Sequence, residues 1–195
     1  MLPSVDSPRI LNGYFKFFSA CALTHTSIEA ALELAPLRGS DIAAVTVRTT
    51  ANNLKVATSP GQRALSRRFS IPFAVATALT RASADATDFD APDPSALELA
   101  QRVTVEEKPE FTKMWPSAAP AEVLVTLING TTIRGYSDNA RGTAARPVGG
   151  EELRDKSAAL LGDSGAVWDS LTNAADSSPV AEVMSAAVSL GRHLA

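Results

Sequence analysis

The segment AEVLVTLINGTTIRGY, Ala121 to Tyr136, limits the possible folds more than any other stretch of this chain. Two β-rich runs flank Asn129-Gly130, a pair that supplies the positive φ angles of a type I′ turn. The spacing predicts a β-hairpin. A lone hairpin is marginal in water, so other elements must cover it. In DIAAVTVRTT, Val45 and Val47 alternate with Thr46 and Arg48, the period-2 pattern of a half-buried strand. RVTVE, from Arg102, alternates in the same way.

Helical signals surround these strands. TSIE predicts a capping box with Thr26 as N-cap and Glu29 at N3. Ile28, Ala31, Leu32 and Ala35 then share one face, so this helix is expected to begin just after His25 and to end before Pro36. In SIPFAVATALTRAS, Ser70 caps, Pro72 is tolerated in the first turn, and apolar residues on nearly every face predict a buried helix. DATDFDAPDP reads as an acidic, proline-marked loop, after which Asp93 as N-cap and Pro94 at N1 launch a short helix through Gln101. Beyond the loop DNARGTAARPVGG, Leu153, Ser157, Leu160 and Leu161 mark a helix stopped by Gly162, and two more helices are predicted from about Ser164 and Pro179. The expected class is α+β: a small antiparallel sheet with a β-hairpin and packed helices over residues 1–145, followed by an all-helical C-terminal segment over residues 146–195.

Composition excludes several functions. With 45% hydrophobic and 20% charged residues the chain does not match the signature of disorder, so a soluble globular protein is expected. A net charge of -3 gives no basis for nucleic-acid binding, and the densest basic cluster, Arg63, Arg67 and Arg68, is too short to reverse that. The single cysteine cannot form an intrachain disulfide, and MLPSVDSPRIL has neither a basic nor an apolar leader region, which favours the cytoplasm. The longest apolar stretch, Ile71 to Leu79, is too short to span a membrane.

The candidate chemistry lies in GYFKFFSACALTHTSIEAALEL, Gly13 to Leu34. Cys21 and His25 are four apart, but a zinc site wants three or four protein ligands and the only other histidine is His193. Cys21 reads as a small buried residue. GDSGA, Gly162 to Ala166, looks like a serine-nucleophile motif, yet it sits between predicted helices and reads as a helix stop followed by an Asp163 cap. No glycine cluster opens a helix after a strand, so nucleotide binding is not expected. His25, at the edge of the predicted helix, faces backbone N–H groups and the positive end of the dipole. Lys16, amid Tyr14, Phe15, Phe17 and Phe18, seeks a carboxylate if it points inward and snorkels from an edge strand if it does not. Together the two could hold a substrate carboxylate or move a proton.

The string also resembles the MmgE/PrpD family, which includes 2-methylcitrate dehydratase, cis-aconitate decarboxylase and iminodisuccinate epimerase. Four blocks carry the likeness in order: YFKFFSACALTHTSIEA, RRFSIPFAVATALTRASADATDF, AEVLVTLINGTTIRGYSDNARGTAARP and GGEELRDKSAALLG, from about residue 13 to 162. The resemblance implies the smaller α+β domain of a two-domain enzyme plus C-terminal helices, with the family's large N-terminal helical domain absent from this chain. It implies a lyase acting on a small polycarboxylate, no metal or organic cofactor, and a homodimer or a separate helical-domain partner. It also implies catalytic roles for Lys16 and His25, with Arg68 and Phe73 as substrate-binding positions. Two departures stand out: Phe73 where tyrosine commonly follows SIP, and Ser157 where phenylalanine usually follows the lysine. The rival expectation is a non-catalytic remnant or interaction subunit.

Overall fold

A computed structural model describes residues 13–161. The chain divides into two compact units, Met1–Pro147 and Val148–Ala195. The first contains four strands, β1 (Ile42–Thr49), β2 (Val103–Glu107), β3 (Ala121–Leu127) and β4 (Thr132–Ser137), in the order β2-β1-β3-β4. Its helices are α1 (His25–Leu32), α2 (Ala64–Arg68), α3 (Ile71–Arg81), α4 (Ala86–Asp90), α5 (Pro94–Ala100) and α6 (Pro109–Thr112). The class is α+β, as expected.

The sheet differs from expectation at one edge. β3 pairs antiparallel with β1 and β4, but β2 pairs parallel with β1. Between β1 and β2 the chain passes through α2 to α5, a connection long enough to return it to the same end of the sheet, where no hairpin could. The sheet is therefore mixed. The hairpin itself forms, with a different turn. Gly130 has φ of 85° while Asn129 keeps a negative φ, and the Gly130 N–H donates to Leu127 O at 2.9 Å. Leu127 N–H in turn donates to Thr131 O at 2.8 Å, closing a three-residue loop that needs one left-handed residue instead of the two of a type I′ turn. Asn129 serves through its side chain, whose Oδ1 accepts from Thr131 N–H at 2.9 Å.

The alternation read in β1 decides which face is covered. Val45 and Val47 of β1 and Val123 and Val125 of β3 are buried, and α1 and α3 lie among the same core residues. Helix α3 is buried from Ile71 to Leu79, and Ser70 caps it by accepting from Phe73 N–H at 3.3 Å. DATDFDAPDP is not wholly loop. Asp88 accepts from Asp85 N–H at 3.0 Å and starts the single turn of α4, which lets Phe89 pack edge-on against Phe73 at 5.8 Å. Both rings are fully buried, and each such burial contributes about 1.5–3 kcal/mol. Hydrophobic burial thus outweighs the turn preference of the acidic segment.

The opposite face of the sheet is polar and organised around Glu122, which is only 5% exposed. Arg134 and Lys108 bond it directly, Arg48 approaches to 3.6 Å, and Arg48 also bonds Glu106 on β2 at 2.6 Å. Burial pushes the Glu122 carboxyl up, but the hydrogen bonds from Arg134 and Lys108 and their charges pull it further down, so it stays below the usual carboxylate range. A depressed carboxyl contributes stability that is present above its unfolded pKa and is lost as pH falls through the folded one. Unfolding measured across pH should therefore show stability dropping below about pH 4, near the ordinary glutamate value. Glu122→Gln should cost about 1–2 kcal/mol at neutral pH and flatten that acid limb, because the cationic partners are partly solvated.

In the second unit, α7 (Gly150–Leu161) forms over the predicted stretch, with Glu151 and Glu152 in its first turn, where negative charge favours the helix start. Gly149 N–H donates to Glu152 Oε2 at 3.0 Å. The expected stop at Gly162, the GDSGA segment, His193 and the two later helices lie outside the described residues. No helix among the described residues is long and apolar enough to cross a membrane.

Candidate functional site

The path into α1 is not a strand. Residues 13–21 run without regular structure, tied by Phe15 N–H to Gly142 O at 3.0 Å, Ser19 N–H to Ala84 O at 3.4 Å and Cys21 N–H to Arg68 O at 2.8 Å. A 3-10 turn, Ala22–Thr24, then leads directly into α1 at His25, two residues earlier than TSIE suggests. Thr26 is inside the helix and does not cap it. The reason is Glu29, whose carboxylate forgoes the capping box for stronger, charge-assisted partners: Arg141 Nε at 3.4 Å, Arg141 N–H at 3.3 Å and Arg146 Nη1 at 3.0 Å.

His25 is consequently the first residue of α1 and is 1% exposed. Its ring stands edge-on to Phe18 at 5.3 Å, and Nε2 lies 3.3 Å from Ala20 O. A carbonyl oxygen can only accept, so Nε2 carries a proton, and whenever the ring is neutral Nδ1 is its basic nitrogen. A cavity of about 410 Å³ adjoins the ring. Its wall is drawn from His25 and Thr26 at the start of α1, Asn53 from the turn after β1, Trp115 from the loop after α6, and Asn139 and Thr143 from the loop after β4. Its surface is mostly apolar, with alanines, Leu23, Pro116 and the rings of Tyr14 and Trp115 set between a few neutral hydrogen-bonding groups. No Lys, Arg, Asp or Glu is among the described lining residues. The N-terminal turn of α1 also borders the cavity and favours a negative group there.

Of the four expected site residues, Lys16, His25, Arg68 and Phe73, His25 alone lies on this wall. Lys16 is exposed, outside the cavity lining. Arg68 is half-buried and clamps α2 to α4 through Asp90 Oδ1 at 2.8 Å and Ala86 O at 3.4 Å. Its neighbour Arg67 does the same through Phe89 O at 2.7 Å, so the basic cluster holds helices together. Phe73 has no exposed surface and packs on Phe89. Cys21 is partly buried beside the core, and among the described residues no three His, Cys, Asp or Glu side chains gather as a metal site. Asn53, Trp115, Asn139 and Thr143 carried no local motif. They meet only because three loops converge on the start of α1.

Comparison with known proteins bears on this arrangement. The sequence model of the MmgE/PrpD C-terminal domain matches residues 18–172, a span that includes His25, α1 and the whole sheet. The chain belongs to the MmgE/PrpD family. A search among curated proteins finds no match. The matched span contains every described lining residue except Gly13 and Tyr14.

Proposed function

We propose that this chain is the small-domain part of a MmgE/PrpD-type lyase that acts on a small polycarboxylate, with dehydration of a 2-methylcitrate-like hydroxy acid as its reaction. The observation that carries this reading is the His25 imidazole, oriented by Ala20 O and Phe18 beside a cavity at the positive end of α1. In the dehydration a C–H bond next to a carboxylate breaks and its electron pair becomes the new C=C bond as the C–O bond to the hydroxyl breaks. The proton and the hydroxyl leave as water. His25 Nδ1 is the basic nitrogen suited to relaying that proton. Lys16, solvent-facing in this unit, neutralises the substrate carboxylate or the developing enolate-like charge when a helical domain, on the same or another chain, closes over it. Arg68 and Phe73 support the site through the helices they hold.

A second reading, an interaction subunit without its own turnover, is favoured by one observation. Tyr14, Phe15, Met114 and Trp115 are large hydrophobic residues left 42–60% exposed, two of them on the cavity wall. One assay separates the readings: ultraviolet absorbance of the new double bond, with citrate and 2-methylcitrate as substrates, for the chain alone and with a helical-domain partner. Turnover supports the lyase. Its absence for both acids in both preparations sinks the lyase and leaves the subunit, and a Lys16→Ala variant with full activity rejects the role given to the lysine.

A further inference from the structure

We infer that Asn53 is a binding residue of the His25 cavity that accepts a hydrogen bond from a hydroxyl of the ligand, so that the cavity selects hydroxy acids over acids lacking that group. The inference rests on the carboxylic-acid reading above and adds a specificity determinant to it. Asn53 is 1% exposed and forms part of the cavity wall. The direction of its amide follows from its neighbours. Thr49 Oγ1 donates to Pro120 O at 3.0 Å, so toward Asn53 it can only accept, and Asn53 Nδ2 donates to it at 2.9 Å. The backbone N–H of Asn53 is bonded as well, to Thr50 O at 3.0 Å and Thr50 Oγ1 at 3.3 Å.

These bonds leave one group without a role. Asn53 Oδ1 is buried and has no donor among the described residues. A buried acceptor left unsatisfied costs about 1–3 kcal/mol, a cost that a ligand supplying the missing donor removes. The oxygen is acceptor-only, which restricts the donor. An ionised carboxylate offers none and is repelled, whereas a hydroxyl complements it. A site built to bond a hydroxyl discriminates sharply against the analogue without one, because the analogue leaves the buried acceptor unpaired.

Citrate and tricarballylate test this directly, since both carry the same carboxylates and only citrate carries the hydroxyl. Titration calorimetry on the full chain at neutral pH should show citrate binding at least about tenfold more tightly, the equivalent of about 1.4 kcal/mol. Asn53→Leu should abolish the preference by weakening citrate alone. Because Asn53 also braces Thr49, the wild-type comparison decides the matter if that variant does not fold. Equal affinity for the two acids overturns the role of Asn53 and leaves the carboxylic-acid reading standing, as does a preference that persists in a folded Asn53→Leu. Binding of neither acid, by the full chain alone or with a helical-domain partner, overturns both.

Discussion

Gly135→Ala is expected to destabilise the α+β unit by about 3 kcal/mol, at the upper end of overpacking costs. Gly135 lies on β4 opposite Val123, where the backbone of α1 crosses the strand. A Cβ at this position would stand 1.9 Å from Ala30 O, 3.0 Å from Ala30 C and 3.2 Å from Leu34 Cγ. The first two atoms are helix backbone and cannot rotate away. Nor can α1 shift freely, because Ala30 and Ala31 are fully buried and Glu33 Oε2 accepts from Tyr136 N–H on the same strand at 2.9 Å. The helix must lift as a body. Chemical denaturation should show a lower midpoint at an unchanged slope, and displacement of α1 should move the His25 ring resonances. A loss under about 1 kcal/mol would mean that α1 does not rest on β4 at this point.

Glu29→Ala should cost about 2–3 kcal/mol. Removing one partner of a fully buried ion pair typically costs about 3–5 kcal/mol, and the figure is smaller here because Arg146 is half exposed. Glu29 is 6% exposed and holds the loop after β4 against α1 through Arg141 and Arg146. Arg141 also lies over the Phe17 ring at 4.1 Å, so the same loop steadies the aromatic segment before His25. Loss of the carboxylate should therefore raise hydrogen exchange in residues 139–146 far more than in β1 or β3. Asn139 and Thr143, which belong to the cavity wall, lie in that loop. Unchanged exchange there would reject Glu29 as the anchor of the wall.

Both effects bear on how much was legible in the chain. β1, β2, the hairpin, α3 and α5 follow from alternation, capping and turn residues within a few positions of one another. α4 and the parallel edge do not. α4 exists because Phe89 finds Phe73, and the orientation of β2 depends on everything that lies between it and β1. Glu29 shows the same limit inside one motif. Locally TSIE is a capping box, but two arginines more than a hundred residues away are stronger partners than a single backbone N–H.

For the site, the sequence by itself determined the imidazole at the start of a helix and the family to which the chain belongs, because both depend on residue types in a fixed order. Only the tertiary structure decided what surrounds that imidazole. It buried Phe73, committed Arg68 to α4, left Lys16 in solvent and brought Asn53, Trp115 and Thr143 to one cavity wall. The physical reason is that cavity walls are built from loop residues whose positions depend on long-range packing and ion pairs, and these leave no periodic trace along the chain.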